Sequence, residues 1–326
     1  MSVERELWFT GPRQVEVRTE GALPQLAPGE VKVRALHSGI SQGTELLLYR
    51  GEGPRDFDPS LDKPGTPLFP RRYGYSWVGE VLESHCASVA LGQRVFALRP
   101  HGDVHIVRLE ELRKVPLTIP SARATLAANL ETALTIVWDA GIAVGDRVAV
   151  LGGGVVGLLA AMVARTAGAN QVLVVEPSPR RRQAALVLGA HEVRTPDDDV
   201  PSAAFDVVIE ATGNPACLDR AVAHAGIEAT VLVASFYGAR RSPIDLGTAF
   251  HRRRLQLKAS QVSRIPPHKT ARWDLGRRFA LVTDLLLDAR LDALVEVPVP
   301  FAEAASVYAR LDSDPGAAIQ SVFAYR

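Results

Sequence analysis

The chain is short of sulfur, of net charge and of long apolar runs. Only two of its 326 residues are cysteine, Cys86 and Cys217. Two cysteines so far apart make neither a disulfide framework nor a C-x-x-C metal site, which points to a reducing, cytoplasmic setting. The formal net charge is +1, so no bulk attraction to nucleic acid or to a membrane surface is expected. No uninterrupted apolar run approaches the ~20 residues of a membrane-spanning helix. The first residues, MSVERELWFTG, put charges where a secretory signal needs its apolar core. Neither internal repeats nor low-complexity tracts occur. Apolar content, at 47%, is that of a globular chain. A length of 326 residues favours two domains over one core.

What is present is concentrated in one stretch, Asp146 to Glu176. Val148–Leu151 is a short apolar, β-branched run and reads as a buried strand. Gly152, Gly154 and Gly157 follow in G-x-G-x-x-G spacing, and the Ala- and Leu-rich run after them reads as a helix ended by Gly168. Gly152 suits the tight strand-to-helix turn. Gly154 lets a pyrophosphate approach the backbone, and Gly157 lets helix and strand pack closely. The first helical N–H groups, at Val155 and Val156, then face the phosphates with the positive end of the helix dipole. Glu176 closes the next strand, roughly 20 residues on, where a carboxylate meets ribose hydroxyls. This context makes the stretch a candidate dinucleotide site.

Around it the pattern changes once. Residues 1–120 read as many short strands, among them 15–17, 31–35, 77–82 and 94–98, with Gly- and Pro-rich turns, as in a compact β-barrel. Residues 51–70 read as a long loop that lines or covers a pocket. Residues 121–145 read as helical, with Ser121 as N-cap for 122–128 and helical composition continuing over 129–140. From Asp146 strands at 148–151, 172–175, 205–209, 230–234 and 255–259 alternate with helices at 154–167, 178–188, 215–224 and 246–252. Such alternation predicts a doubly wound parallel sheet. A helix is expected at 273–289, then a strand at 295–297, a helix at 301–311 and a strand at 318–324 that returns to the first domain. The expected divisions are 1–120, 121–265 and 266–326. The arginine runs 180–182 and 252–254 come without an aromatic platform or recognition motif, so no nucleic-acid site is expected.

LGGGVVG at mid-chain, VVEPSPRRRQAALVLGA and VIEATGNP, after a barrel-like N-terminal part, resemble the medium-chain dehydrogenase/reductase superfamily, the alcohol-dehydrogenase-like enzymes. HSGISQGTE followed by YGYSWVGEV is similar to the branch that includes bacteriochlorophyllide a dehydrogenase. The resemblance implies an α/β protein: a GroES-like β-barrel catalytic domain plus a doubly wound Rossmann nucleotide-binding domain. It implies a cytoplasmic NAD(P)-dependent oxidoreductase that moves a hydride between nicotinamide and an alcohol or carbonyl substrate in the cleft between domains. It also implies cofactor contacts from Pro177, Arg181, Ala211, Thr212, Gly213 and Ser235. Arg181 would stack on adenine or meet a 2′-phosphate; its alternative is a solvated helix face. Glu176 favours NAD(H) over NADP(H), because its charge repels that phosphate. Relatives pair the last sheet strand across a two-fold axis, so residues 255–259 predict a homodimer.

The departures from the family pattern bear on chemistry. Zinc-dependent members place a cysteine ligand in a G-x-C-G-[ST]-D run; here Ser41 or Gln42 stands in its place. Gly74-Tyr75-Ser76 replaces a G-H-E ligand run, and the four-cysteine structural lobe is missing. Ser, Gln and Tyr do not make the N, S or carboxylate set that zinc needs, so no zinc is expected. Catalysis then falls to Thr44, Tyr75, Ser41 and Glu131, with the Tyr75 phenol as the candidate proton donor. For Tyr75 the alternative is packing, and for Ser41 and Thr44 turn formation. Glu45 reads as a local bond that fixes its loop, and His37 as a satisfied structural histidine. Two other functions stay open: a quinone or enone reductase, and a non-catalytic NAD(P)H-binding redox sensor.

Overall fold

The computed structural model describes residues 4–21, 23–53, 68–316 and 318–325. Its contacts divide the chain into Met1–Ala128 with Leu286–Arg326, and Asn129–Leu285.

The first unit is built on a seven-stranded sheet. Its central strand, Glu30–Gly39, pairs antiparallel with Trp77–Ser84 and Val104–Arg108. Val31, Val33 and Ala35 alternate inward and are at most 3% exposed, as a half-buried strand requires. They pack with Trp77, Val81, Val95 and Val107, and each fully buried Val contributes about 1.5–3 kcal/mol. Val322–Ala324 pairs antiparallel with Glu30–Gly39, so the chain end does return to this sheet. A smaller sheet joins Glu4–Gly11, Gln14–Glu20 and Arg71–Arg72. The helix Gln42–Arg50 was not legible in the sequence; Gly51, at φ 75°, ends it. The loop expected at 51–70 lies mostly outside the described residues.

The second unit holds a six-stranded sheet, all parallel. In spatial order its strands are Glu192–Arg194, Gln171–Val175, Arg147–Leu151, Phe205–Glu210, Ala225–Val233 and Gln256–Ala259. The order reverses at the first strand in sequence, which is the doubly wound pattern. Val148–Val150 and Val172–Val174 are fully buried, as strands covered on both faces must be. Gln256–Ala259 is an exposed edge strand.

Several boundaries differ from expectation. Pro120, not Ser121, occupies the cap position of helix Ser121–Ala124; the Ser121 hydroxyl is bonded instead to His37 Nδ1 at 2.9 Å. The segment 215–224 begins as a 3-10 turn and becomes α-helical only at Leu218–His224. The helix expected at 246–252 is reduced to Ala249–Arg252, and that at 273–289 to Leu275–Leu285. This last helix packs with the parallel-sheet unit, and the division falls at 285 rather than 265. Arg278 explains it: only 4% exposed, it bonds Glu131, Thr135 and the Val262 carbonyl.

Candidate active site

The glycine turn does what its spacing predicts. Gly152 has φ +99°, and a Cβ there would lie 2.6 Å from the Ala211 carbonyl oxygen. At Gly157 a Cβ would lie 2.0 Å from the Gly152 oxygen. No larger residue fits either position. Gly154 caps helix Val155–Thr166 with no side-chain hydrogen bond, and a Cβ there would meet nothing within 4 Å. Val155 and Val156 supply the first N–H groups of the helix behind it, the end at which an anion is favoured.

Glu176 is 4% exposed. Its Oε2 accepts from the Gly153 N–H at 2.7 Å and its Oε1 from the Ser178 N–H at 2.9 Å. Lone pairs remain on both oxygens for hydroxyl donors. A cavity of about 410 Å³ opens here, lined by Gly152, Gly154, Glu176, Pro177, Arg181, Ala211 and Thr212 among others. Arg182 spends its guanidinium on the Glu176 and Pro177 carbonyls, so Arg181 is the member of the arginine run that lines the cavity. The residues present fit a dinucleotide.

Glu210, which sequence reasoning passed over, organises the loop beyond it. It is fully buried. Its Oε1 accepts from the Thr212 N–H at 2.8 Å and from the Thr212 hydroxyl, and its Oε2 accepts from the Tyr237 phenol. Burial and the Glu210 charge push the Tyr237 phenol well above its usual range. The Gly213 N–H donates to Ser235 Oγ at 2.8 Å, which brings two expected residues together. At the end of an apolar strand, Glu210 carries no sequence signal beyond its polarity.

The barrel unit gathers the hydroxyls. Tyr75 donates to Ser41 Oγ, and Thr44 Oγ1 lies 3.5 Å from the Tyr75 oxygen. Burial pushes the Tyr75 phenol up, while its bonds to Ser41 and Thr44 pull it down and the Glu45 charge raises it. Glu45, fully buried, accepts from the Ser41 N–H at 2.8 Å and fixes the loop as expected. It does more. Its Oε2 also meets His101 Nε2 at 3.0 Å and the Tyr308 phenol. His101 Nδ1 continues to Ser38 Oγ at 2.6 Å, and Ser38 to Tyr325 at 2.6 Å. Residues 38, 45, 101, 308 and 325 meet only through the fold, so no local spacing announces them. His37 is held by Ser121, and burial pushes its imidazole down. Glu131 lies in the second unit, where Arg278 pairs with it at 3.0 Å.

Zinc does not fit the donors here. Ser41 Oγ accepts a hydrogen bond from Tyr75, Gln42 donates to the Ala318 carbonyl and Ser76 to the Thr125 carbonyl. No thiolate or free imidazole stands among them, and no group of three His, Cys, Asp or Glu side chains able to hold a metal occurs among the described residues.

The family model for zinc-binding dehydrogenase matches residues 155–275. (R,R)-butanediol dehydrogenase of Bacillus subtilis (strain 168) is 31% identical over 266 residues, 68% of this chain and 75% of that protein. The 2-desacetyl-2-hydroxyethyl bacteriochlorophyllide A dehydrogenase of Rhodobacter capsulatus is 28% identical over 328 residues, 94% of each. A structure from Sinorhizobium meliloti 1021, described as a candidate zinc-binding dehydrogenase bound to NADP, superposes with a TM-score of 0.80 at 22% identity, over 99% of this chain and 100% of that one. The chain belongs to the medium-chain dehydrogenase/reductase family and is an NAD(P)-dependent dehydrogenase. No helix among the described residues is long and apolar enough to cross a membrane.

Proposed function

We propose that this dehydrogenase works without zinc, interconverts an alcohol and a carbonyl on a small molecule, and uses Tyr75 as its proton donor. The observation that carries the reading is the hydroxyl cluster itself, Tyr75 bonded to Ser41 with Thr44 Oγ1 3.5 Å away; by the family resemblance these are the positions that zinc-dependent members use for metal ligands and a proton relay. When bound, the nicotinamide supplies or accepts the hydride. Gly152, Gly154, Val155, Val156 and Gly157 hold the pyrophosphate, Glu176 and Pro177 the adenosine ribose, and Ala211, Thr212, Gly213 and Ser235 line the path beyond. The raised phenol keeps its proton at neutral pH, so Tyr75 acts as a hydrogen-bond donor to a carbonyl and as general acid. As the proton leaves, Ser41 Oγ–H turns to donate to the phenolate oxygen, and Thr44 offers a second donor.

NAD(H) is preferred over NADP(H). Glu176 sits at the strand end, buried and fixed by two N–H groups, where it accepts from ribose hydroxyls and repels a 2′-phosphate. The edge strand Gln256–Ala259 supports a homodimer, since a second copy would satisfy its open edge; a monomer by light scattering at micromolar concentration would remove that part.

The test is NADH oxidation with ketones, quinones and enones in parallel. Turnover on ketones supports the reading. Turnover confined to quinones or enones replaces it with C=C reduction. Tight NADH binding with no turnover on any of them replaces it with a redox sensor.

A further inference from the structure

Strand Ala225–Val233 runs into residues 234–242, which form neither helix nor strand. This strap lies against the loop that follows Glu210, and side chains fasten the two together. Ser235 Oγ accepts from the Gly213 N–H at 2.8 Å. Arg240 donates through Nη2 to the Gly213 carbonyl at 2.8 Å and through Nε to the Tyr237 carbonyl at 3.1 Å. Ser242 Oγ donates to the Pro215 carbonyl at 3.0 Å. The Tyr237 phenol donates to Glu210 Oε2. The loop so fastened lines the dinucleotide cavity through Ala211, Thr212 and Asn214, whereas Tyr237, Arg240 and Ser242 stand outside that lining.

Glu210 is the joint. Its carboxylate is fully buried and held by neutral donors: the Thr212 N–H at 2.8 Å, the Thr212 hydroxyl and the Tyr237 phenol. A buried carboxylate without a cation depends on every donor it has. Burial and the Glu210 charge hold the Tyr237 phenol well above its usual range, so it stays a donor at neutral pH. Thr212 passes the order on: its hydroxyl donates to Glu210 and accepts from the Asn214 N–H at 2.9 Å. A continuous chain, Tyr237–Glu210–Thr212–Asn214, thus runs from the strap to two residues of the cavity wall. Gly213, between those two, has φ 70°, and both its N–H and its carbonyl are bonded from the strap.

We propose that Tyr237 and Arg240 are positioning residues of the dinucleotide site: the strap 234–242 sets the conformation of loop 211–214, and with it the affinity for the cofactor. The loop has no helix or strand of its own to hold it. A segment already fixed loses less freedom when a ligand binds. Without the Tyr237 donor, Glu210 Oε2 loses its partner. It regains one only by drawing in water or by pulling on Thr212, and either displaces the cavity wall. This needs a dinucleotide in the cavity, whichever of NADH and NADPH it is.

The test uses the full chain and whichever of NADH and NADPH binds the wild type more tightly, followed by the fluorescence of the reduced cofactor. Tyr237→Phe keeps the ring and removes the donor, and it should weaken binding about tenfold. Thr212→Val removes the hydroxyl that joins Glu210 to Asn214. The double variant should bind no more than about twofold more weakly than the weaker single variant, because both changes cut one chain. Losses that multiply would place Tyr237 outside that chain, as a merely structural residue would be, and overturn the assignment. Unchanged affinity in Tyr237→Phe overturns it too. Should Tyr237→Phe fail to fold, Arg240→Ala decides, at an exposed residue. Binding weakened about threefold or more supports the strap, and wild-type affinity overturns it. A wild type that binds neither cofactor takes the dehydrogenase and the strap down together, whereas unchanged affinity in the variants removes the strap alone.

Discussion

The two units solve the same problem in different materials. The nucleotide unit makes its proposed site from backbone: a left-handed glycine, a helix start without a capping side chain, and a carboxylate that two N–H groups hold. The barrel unit makes its proposed site from side-chain hydroxyls, Ser41, Thr44 and Tyr75, braced by a buried carboxylate. The difference teaches where precision comes from. A backbone site is as exact as the turn that makes it, so it is local in sequence and intolerant of any added atom. A hydroxyl site is only as exact as the core behind it. Here that core is the chain Tyr308–Glu45–His101–Ser38–Tyr325, drawn from both ends of the unit.

The contrast predicts how each half breaks. Gly157→Ala places a methyl against the Gly152 carbonyl, at 2.0 Å before relaxation. The turn must shift, and NADH binding, read by fluorescence titration, should fall beyond measurement. An affinity within tenfold of wild type would show that the turn is not rigid. Tyr75→Phe keeps the ring and removes the donor. With chemistry rate-limiting, kcat should fall by about 10²-fold or more and NADH affinity should hold; an unchanged kcat would leave Tyr75 a packing residue. Glu176→Ala lies between the two materials, a side chain serving a backbone site. It should raise relative NADPH affinity about tenfold, a shift of ~1.4 kcal/mol. No change in the NADH-to-NADPH ratio would remove the carboxylate as discriminator.

A separate effect, on stability rather than on binding or turnover, concerns pH. Burial pushes the His105 imidazole down to about 4, against a bond to the Pro100 carbonyl that raises it. The folded state therefore keeps His105 neutral where the unfolded state protonates it. Its contribution is fully present above about pH 6.5, and it is lost as pH falls towards 4; the full span is about 3 kcal/mol. Thermal melts from pH 7 to 4 should show the barrel unit weakening over that window. His105→Gln should flatten the slope, and an unaltered slope would exclude this histidine as the cause.

The same contrast explains what could be read without coordinates. Gly152, Gly154, Gly157 and Glu176 were legible because a strand, a turn, a helix and the next strand follow one another within Asp146–Glu176. The parallel sheet was legible because its strands are apolar runs at regular intervals. Ser41 and Tyr75 were found as positions that depart from a family pattern and Thr44 as one that matches it, yet their mutual contact was not derivable. Glu131 was grouped with them because it matches a family position, and its bond to Arg278, 147 residues away, could not be read from the sequence. His101, Tyr308 and Glu210 stayed hidden because a buried polar residue takes its meaning from partners that only the fold supplies. Ser121 failed as a cap for a similar reason: a long-range bond to His37 outcompeted the local one.

The central claim is that hydroxyls and not a metal serve the substrate oxygen. The direct measurement is turnover after exhaustive dialysis against a chelator, with zinc counted in the same sample by elemental analysis. The account predicts unchanged kcat with less than about one zinc per several chains, because the donor set fails the coordination rule. Activity lost on chelation and restored by one equivalent of zinc per chain would contradict it.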